Sequence, residues 1–429
     1  MKILLKNIDL LNPYQKLNNK KNDLEIIDGI ITKIGKNIKV DDDVKTFDLD
    51  GVIAAPGFFD MHVHLREPGR EDKETIVSGC RSAARGGFTG IGCMPNTTPT
   101  IDSAEVISSI KQKASNELTS VFVIAAATKN REGELLSSMF ELMENGSVAF
   151  SDDGVAIKSA AILKRVMEYS KMFDVPIIEH CEDNSMAGGG VNEGVISTQL
   201  GLKPAPSIAE YLIIMRDILM AEYTNSKVHI AHISTKRGVQ MVRDAKKMGV
   251  KVTAEVAPHH FTLDETRLLT YDTNFKMNPP LRERKDVEEI IKGLQDGTID
   301  CVASDHAPHT IEEKNLPFDQ APNGIIGLET EVGLTLNELY HKQILSLEQI
   351  IEKLSINPRL ILNIPVPQIK KGEPANLTLL DINKSWIVNI SEFFSKSINS
   401  PYAGTELKGN AIGVINNKKM FINNNFFNI

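Results

Sequence analysis

The chain has 429 residues, of which 41% are hydrophobic and 24% are charged, a composition typical of a globular protein with a sizeable core. Its length fits one large domain of roughly 250–300 residues plus a smaller one. The formal net charge of −8 argues against nucleic acid or an anionic membrane as a partner.

Sorting and redox signals predict a cytoplasmic location. Lys6 and Asp9 interrupt the first residues before the apolar core of a signal peptide could form. No apolar run reaches the length of about 18 residues that a membrane span needs. The four cysteines are widely spaced and form no Cys-x-x-Cys pair, which is typical of a reducing compartment.

The first 55 residues contain short β-like runs broken by polar turns, at residues 1–5, 23–34 and 46–53. These runs show no helical periodicity, so they predict strands of a small sheet. We therefore expect the first part of a small β domain over residues 1–55.

From residue 56 onward, short apolar strands alternate with amphipathic segments such as 159–173 and 208–223. Eight strands are predicted, at residues 58–64, 89–94, 121–127, 148–151, 175–181, 227–233, 252–256 and 299–304. Eight βα units over about 300 residues predict an α/β fold of the (β/α)8 TIM-barrel type, spanning residues 56–365. An open doubly wound sheet is the alternative, but the first strand is not followed by the Gly-rich turn expected there.

Strand-like runs return near the end of the chain, at residues 375–380, 386–390 and 411–422. We predict that residues 366–429 form the second part of the small domain and complete a β-sandwich with the N-terminal segment. The Asn- and Lys-rich tail from residue 416 is expected at an exposed edge.

Two histidines stand at the end of the first barrel strand. Side chains at i and i+2 of a strand point to one face, so His62 and His64 can direct two imidazoles at one divalent metal such as zinc. Arg66 is in step with the same alternation if the strand continues that far. A cation beside a metal predicts an anionic substrate.

Other barrel strands also end in polar residues, where a barrel carries its chemistry. These residues are Asn96, Asp152, Asp153, Glu179, His180, His232, Asp305 and His306, with His259, His260 and Asn278 after the seventh strand. Four histidines and two carboxylates suit two divalent ions bridged by a carboxylate and a hydroxide. A strand-end Asp could then move a proton to a leaving nitrogen, which predicts hydrolysis at a polarised carbonyl or the reverse reaction.

Several motifs carry a family resemblance: Asp60-Met-His-Val-His-Leu-Arg-Glu-Pro-Gly69, Met94-Pro-Asn-Thr97, Phe150-Ser-Asp-Asp-Gly154, Glu179-His-Cys-Glu182, His229-Ile-Ala-His-Ile-Ser-Thr235, Asn278-Pro-Pro-Leu-Arg282, Ser304-Asp-His-Ala-Pro-His309 and Gly324-Ile-Ile-Gly-Leu-Glu329. In this order, they resemble dihydroorotases of the amidohydrolase superfamily, of the long bacterial type. The resemblance covers nearly the whole barrel.

The resemblance implies two zinc ions per subunit. His62, His64 and Asp305 would bind the first ion, and His180 and His232 would bind the second. Many relatives use a carbamylated lysine as the bridge between the ions, but the strand-4 motif here offers only Asp152 and Asp153. We favour Asp153 as the bridge, together with a hydroxide, because its spacing of 27 residues to His180 matches similar dihydroorotases; Asp152 is the alternative.

The resemblance also implies a set of substrate contacts: His64, Arg66, Asn96, Asn278, His309, Asn323 and Gly324. Within it, Arg66, Asn96 and His309 would grip a carboxylate, and Asn278 and the backbone at 323–324 would hold a ring. Position 323 is Asn where relatives carry an aromatic residue. The other histidines have structural interpretations, with His229 hydrogen-bonded in a strand, His259 and His260 in a loop near the site, and His306 either orienting a neighbour or packing.

The implied activity is the reversible cyclisation of N-carbamoyl-L-aspartate to L-dihydroorotate, with Asp305 as the catalytic proton carrier. Hydantoinase and dihydropyrimidinase are enzyme alternatives whose neutral substrates would not need Arg66, and allantoinase is a nearer alternative. A non-catalytic subunit that scaffolds aspartate transcarbamoylase is a further one, although every expected ligand position is filled. The resemblance implies a homodimer and allows a catalytic subunit that also binds the transcarbamoylase. Residues 307–324 are a candidate for a loop that closes over the substrate.

Overall fold

The computed structural model describes residues 2–39 and 44–429; Met1 and residues 40–43 lie outside the described residues. The N-terminal strands are β1 (Lys2–Asn12), β2 (Leu17–Ile27), β3 (Ile30–Gly35), β4 (Lys45–Asp48) and β5 (Ile53–Pro56). β1 and β2 extend beyond the predicted runs because the polar residues at the start of β2 pair with the end of β1, for example Asn19 opposite Leu10. Backbone pairing of this kind does not require apolar side chains.

Strands and helices alternate through the middle of the chain. They are β6 (Phe58–Val63), α1 (Ile76–Gly86), β7 (Phe88–Cys93), α2 (Ala104–Ala114), β8 (Ser120–Ala126), α3 (Met139–Glu144), β9 (Ser147–Ser151), α4 (Ala160–Ser170), β10 (Ile177–Glu179), β11 (Val191–Asn192), α5 (Val195–Leu200), β12 (Pro204–Ala205), α6 (Ile208–Thr224), β13 (Val228–Ile230), α7 (Lys236–Lys247), β14 (Val252–Val256), α8 (Pro258–Thr262), α9 (Arg284–Asp296) and β15 (Cys301–Val302).

Eight of these strands form one parallel sheet in the order β15-β14-β13-β10-β9-β8-β7-β6. The sheet closes through a parallel bridge between Val63 and His306, where the amide of His64 donates to the carbonyl oxygen of His306 over 2.9 Å. Each of the eight predicted strands overlaps one observed strand, and the predicted barrel is confirmed. Strands β10, β13 and β15 are shorter than predicted, because their last residues turn away to form the loops at the carboxyl end.

The turn from α1 into β7 illustrates how local sequence sets the fold. Thr75 caps α1 by accepting a hydrogen bond from the amide of Ser78 over 3.1 Å. The helix ends at Gly87, whose φ of 103° favours glycine. A Cβ at this position would also lie 2.4 Å from that of Ala411 in the small domain, so the glycine allows the two domains to pack closely.

The rest of the chain contains short helices followed by four strands. They are α10 (Ile311–Lys314), α11 (Glu331–Thr335), α12 (Leu347–Ile351), α13 (Asn357–Ile361), β16 (Leu377–Ile387), β17 (Glu406–Asn416), β18 (Lys419–Ile422) and β19 (Asn425–Asn428). Single π-helical turns at Leu336–Tyr340 and Glu352–Ile356 extend α11 and join α12 to α13.

The two ends of the chain share one nine-stranded sheet, with the order β19-β18-β17-β16-β5-β1-β2-β3 and with β4 also paired to β1. The junction is the antiparallel pair of β5 and β16, in which Ile53 lies opposite Leu380. Asn416 ties this sheet to the barrel by donating to the carbonyl oxygens of Thr89 and Leu118. The predicted joint β domain is thus formed, while the limits 1–55, 56–365 and 366–429 stay predictions.

Helix α6 carries apolar side chains around most of its circumference. The side chains of one stripe are between 37% and 75% exposed: Ile208, Leu212, Met215, Leu219 and Tyr223. Their spacing of three and four residues places them on one face of the helix. None of the helices in the described part of the chain combines the length and the apolar character of a membrane span.

Candidate active site

The predicted site residues converge at the carboxyl end of the barrel. One pocket of about 230 Å³ is lined by His64, Arg66, Asn96, Asp153, Gly154, His180, His232, Asn278, Asp305, Ala307, His309, Asn323 and Gly324. His62 lies buried beside Asp153, with its Nε2 3.4 Å from Oδ1 of that aspartate. The structure therefore brings together all the residues that the sequence assigned to metal or substrate binding, whereas the other strand-end candidates, such as Asp152 and Glu179, do not line this pocket.

The first ligand group consists of His62, His64, Asp153 and Asp305. Nε2 of His64 lies 3.5 Å from Oδ2 of Asp153 and 3.1 Å from Oδ1 of Asp305. Nε2 of His62 lies 3.7 Å from the same Asp305 oxygen. Two imidazole nitrogens and two carboxylates thus face a common centre.

The second ligand group consists of Asp153, His180 and His232. Oδ1 of Asp153 lies 3.8 Å from Nδ1 of His180 and 3.8 Å from Nε2 of His232. These two nitrogens lie only 3.0 Å from each other. Because Asp153 belongs to both groups, its carboxylate joins them.

The donor atoms fit divalent metal ions. His62, His64 and Asp153 have ligand atoms within 4.8 Å of one another, and so do Asp153, His180 and His232. Nε2 of His62 and Oδ1 of Asp153 are buried without a hydrogen-bond partner, although buried polar atoms are normally paired. Unpaired nitrogen and carboxylate oxygen atoms at one point are the ligands that zinc prefers.

The two aspartates of the strand-4 motif have different environments. Asp152 accepts hydrogen bonds from the amide and the hydroxyl group of Thr128, so its carboxylate is engaged with the loop after β8. Asp153 instead faces the histidines of both groups. The assignment of the bridge to Asp153 stays a prediction, and this geometry supports it over Asp152.

Charge complementarity perturbs the pKa values in the cluster. Burial raises the pKa of Asp153, but the charge of His62 and the close imidazoles of His232 and His62 outweigh it and hold this pKa well below its usual range. Burial lowers the pKa of His62, but Asp153 and Glu255 outweigh it and raise this pKa well above its usual value. A cluster of imidazoles and ionised carboxylates therefore forms beneath the pocket.

Two hydrogen bonds orient the histidines of the first ligand group. Nδ1 of His62 lies 2.5 Å from Oε1 of Glu255, and Nδ1 of His64 lies 2.8 Å from Oδ1 of Asn96. Nδ1 of each ring is thereby engaged and Nε2 is left for a metal ion. The sequence analysis missed Glu255, although a carboxylate inside the apolar strand β14 was a signal for a buried polar role.

A half-buried cation lies beside the cluster. Arg66 lines the pocket, and its Nε donates to the carbonyl oxygen of Pro308 over 3.2 Å. Burial lowers its pKa to about 10, so the guanidinium remains charged at neutral pH. The strand does not continue to this residue, because β6 ends at Val63 and Arg66 has a φ of 60°.

Positive φ angles recur among the site residues. His232 has a φ of 31° and Asp305 a φ of 48°, a backbone conformation that costs free energy in residues other than glycine. Such conformations are concentrated at functional sites, where the surrounding structure maintains them. Here they turn the two side chains toward Asp153 directly after short strands.

Asn278 and His309, two further predicted contacts, are held in part by Glu182 and Lys73, to which the sequence analysis assigned no role. Nδ2 of Asn278 donates to Oε2 of Glu182 over 2.8 Å. Nε2 of His309 lies 2.8 Å from the carbonyl oxygen of Asn323, and its Nδ1 lies 3.1 Å from Nζ of Lys73. Burial, with the charges of Arg66 and Lys73, lowers the pKa of His309 to about 3, so this imidazole is neutral.

The other histidines have structural surroundings. Nδ1 of His229 lies 2.8 Å from Oγ1 of Thr253, in agreement with a hydrogen-bonded strand residue. His260 lies within helix α8 instead of the expected loop, and its Nε2 lies 3.0 Å from the carbonyl oxygen of Pro279. His306 accepts from the amide of Gly327 and lies near Glu74, so it joins the chain after β15 to the rest of the barrel.

Known proteins of similar sequence share one name. Residues 51–238 match the family model described as Dihydro-orotase-like. A dihydroorotase of Pelotomaculum thermopropionicum is 46% identical over 410 residues, covering 95% of this chain and 96% of that protein. A dihydroorotase of Acetivibrio thermocellus is 46% identical over 389 residues, covering 90% of this chain and 91% of that protein.

Solved structures share the fold at lower identity. An L-hydantoinase from Arthrobacter aurescens superposes with a TM-score of 0.83 at 23% identity, covering 96% of this chain and 94% of that one. A D-hydantoinase from a Thermus species superposes with a TM-score of 0.84 at 23% identity, covering 100% and 97%. These two similarities establish the barrel with its attached β domain.

Proposed function

Because the chain belongs to the dihydroorotase family of metal-dependent cyclic amide hydrolases, we propose that its pocket performs that reaction with the residues described above. The reaction is the reversible cyclisation of N-carbamoyl-L-aspartate to L-dihydroorotate, with release of water, in pyrimidine biosynthesis. One observation carries the proposal: the two ligand groups converge at a single pocket, which the half-buried Arg66 also lines.

We propose two zinc ions, one in each ligand group, with Asp153 shared between them. Histidine nitrogens and carboxylate oxygens are ordinary zinc ligands. When bound, such ions supply a water nucleophile of lowered pKa and polarise the carbonyl oxygen of the substrate. The protein contributes the fixed ligand geometry, through Glu255 behind His62 and Asn96 behind His64.

We propose that Asp305 moves the proton. Burial raises its pKa, but the hydrogen bond from His64 and the charge of His62 outweigh it and hold this pKa well below its usual range. The carboxylate is therefore ionised and able to accept a proton from the attacking water. It can then donate that proton to the ring nitrogen as the amide bond breaks, acting first as a general base and then as a general acid.

Arg66, Asn96 and His309 are proposed to hold the substrate carboxylate. The guanidinium supplies the charge, and Asn96 can offer its Nδ2 because its Oδ1 is engaged with His64. His309 would exchange its bond to the Asn323 carbonyl oxygen for one to the substrate. A charged hydrogen bond of this kind contributes about 1.5–3 kcal/mol.

The ring of the substrate is proposed to contact Asn278, Asn323 and Gly324, with His64 at its edge. Nδ2 of Asn278 is engaged with Glu182, which leaves its Oδ1 to accept from a ring N–H group. Asn323 is exposed and Gly324 is buried in the pocket wall, so backbone groups at these positions can reach the ring.

The alternative enzymes use the same fold but make different demands on the pocket. Hydantoins and dihydropyrimidines without a carboxylate would leave the guanidinium of Arg66, half-buried in the pocket wall, without an anionic partner, which is costly. Allantoinase and a non-catalytic scaffold are not favoured, because the relatives of 46% identity are dihydroorotases and the ligand groups are complete.

The decisive test is ring opening of L-dihydroorotate by the purified protein. It should be run with added zinc, with a chelator and with Asp305→Asn, using allantoin and hydantoin as competing substrates. We expect zinc-dependent turnover of dihydroorotate alone, reduced by 10²–10⁴ in the variant. Failure to turn over dihydroorotate with zinc demonstrably bound would refute the proposal.

A homodimer is proposed for the assembly, with the exposed stripe of α6 as the contact. Contiguous apolar surfaces of a few hundred Å² mark interaction sites. A stripe along a whole helix is complementary to its own copy across a two-fold axis. Sedimentation should show a dimer that Leu219→Glu dissociates, whereas Leu135→Glu, at an exposed position elsewhere, should not. A monomer that binds aspartate transcarbamoylase through the same stripe would overturn this assignment.

We also propose a cytoplasmic location. All four cysteines are buried as free thiols, which is the state of cysteines in a reducing compartment. Cell fractionation tests this, and recovery in an oxidising compartment would contradict it.

A further inference from the structure

Residues 318–324, called the 318–324 segment below, form the part of the loop before Ile325 that reaches the pocket. Their backbone carbonyl oxygens are tied to side chains from other parts of the chain. The carbonyl acceptors are Phe318, Asp319, Ala321, Pro322, Asn323 and Gly324. Loops are normally held by their own turns or by water, so this pattern requires an explanation.

Lys276 makes three of these bonds. Its Nζ donates to the carbonyl oxygens of Phe318 and Ala321 over 2.6 Å each and to that of Asp319 over 3.2 Å. A protonated amine has three N–H groups, so the number of donors equals the number of acceptors. The ammonium group also lies 5.3 Å from the centre of the Phe318 ring, at the range of a cation–π contact.

Lys314 makes two bonds, to the carbonyl oxygens of Pro322 and Gly324 over 3.1 Å each. Burial and the neighbouring charge of Lys276 lower its pKa to about 7. A neutral amine keeps two N–H groups, so both bonds persist when this lysine loses its proton. The two lysines can therefore hold adjacent carbonyl groups without two full buried charges.

The stem of Lys276 is itself confined. A Cβ at Gly190 would lie 2.6 Å from Cε of Lys276 and 3.1 Å from its Cγ. The absence of a side chain at Gly190 lets the lysine pass toward the loop. Gly190 thus contributes to the geometry of the pocket wall through Lys276.

The segment so held lines the pocket through Asn323 and Gly324. We propose that Lys276 and Lys314 are positioning residues that keep the 318–324 segment as a fixed wall of the substrate pocket, in place of a lid that opens and closes. The part that concerns substrate rests on the proposed function, whereas the immobilisation of the segment does not.

Amide hydrogen exchange without substrate tests the immobilisation. Lys276→Met keeps the length of the side chain and removes its donors, and Lys314→Met does the same for the second lysine. Lys247→Met on the exposed end of α7 is the matched control. We expect amide exchange in the 318–324 segment to accelerate at least tenfold in Lys276→Met, less in Lys314→Met and not at all in the control. Unchanged exchange in both loop variants would overturn the proposal.

Gly190→Ala provides a second route that leaves the charges intact, since the new methyl group must displace the stem of Lys276. Gly35→Ala, where nothing lies within 4 Å of the added Cβ, is its control. This variant is informative even if Lys276→Met fails to fold. Faster exchange in the 318–324 segment of Gly190→Ala, but not of Gly35→Ala, is the expected result; equal exchange in both would count against the role of Lys276.

Kinetics test the link to substrate. In Lys276→Met we expect KM for L-dihydroorotate to rise about tenfold, with kcat within threefold and the zinc content unchanged. Faster exchange with an unchanged KM would overturn the claim that the segment is part of the substrate pocket. Lack of turnover in the unaltered protein would instead refute the proposed function, and the exchange result would stand by itself.

Discussion

Nδ1 of His62 lies 2.5 Å from Oε1 of Glu255, inside the barrel and below the pocket. The carboxylate fixes the ring so that Nε2 faces Asp153. Burial raises the pKa of Glu255, but the charge of His62 and hydrogen bonds from His229 and His62 outweigh it and lower this pKa to about 2. Glu255 is therefore ionised at neutral pH and is a permanent acceptor for the Nδ1–H group of His62.

Glu255→Gln should weaken zinc binding. The amide can present either an oxygen or an N–H group to His62, so the ring is no longer held in one tautomer. Loss of such an orienting carboxylate typically costs 10–100-fold in metal affinity, which competition with a chromogenic chelator would measure. Glu25→Gln, at a buried carboxylate of the small domain, is the control, and equal affinities in the two variants would contradict this role.

Asp153→Ala and Asp152→Asn should distinguish the roles of the two aspartates in the strand-4 motif. Removing Asp153 takes a ligand from both groups, so zinc content and turnover should both be lost. Asp152→Asn keeps an oxygen that can accept from the Thr128 amide but loses the one that accepts from the Thr128 hydroxyl group, so it should lower the unfolding free energy by about 1–3 kcal/mol while zinc is retained. The reverse pattern of zinc content would assign the bridge to Asp152.

Arg66→Met should impair recognition of the charged substrate. Losing one charged hydrogen bond of about 1.5–3 kcal/mol lowers kcat/KM by roughly 10–100-fold, and we expect the loss mainly in KM. Any trace activity toward uncharged hydantoin should not fall, because that substrate has no carboxylate. A parallel loss for both substrates would show that Arg66 supports the metal cluster instead.

The dependence of the unfolding free energy on pH between 7 and 10 should reveal the ionisation of Lys314. Its pKa falls from 10.5 to about 7 on folding, through burial and Lys276, against smaller opposing effects of Asp272 and Glu313. In this interval the unfolded chain binds the proton that the folded chain has released, so the unfolding free energy rises with pH. Relative to Lys314→Met, urea denaturation should show a rise of about 3.5 kcal/mol over this interval, and a constant difference would contradict the shifted pKa.

Much of the architecture followed from periodicity. Alternating strands and amphipathic segments predicted the barrel, and residues 252–256 were placed without error because β14 is a buried apolar strand with clear polar borders. Polar strands were harder to predict. The start of β2 was assigned to a turn because its exposed Asn and Lys side chains give no alternation, although its backbone pairs with β1.

The candidate metal ligands could be predicted from the sequence, whereas the residues that contact and orient them were harder to predict. His62, His64 and Asp305 stand next to strands, where local sequence determines position. Lys276 and Glu255 act across the fold on groups that are distant in the chain, and no local pattern reveals such partners. Arg66 was nominated by strand alternation, yet it reaches the pocket through a left-handed backbone conformation that alternation does not describe.

The pairing of β5 with β16 has a consequence for how the protein is made. Residues 53–56 emerge from the ribosome some 320 residues before their partners at 377–380, which is a delay of roughly 15–65 s at 5–20 residues per second. During this time the backbone of β5 presents an unpaired edge while the barrel strands are still being synthesised. Nascent chains should therefore recruit holding chaperones to the N-terminal segment until the last strands appear.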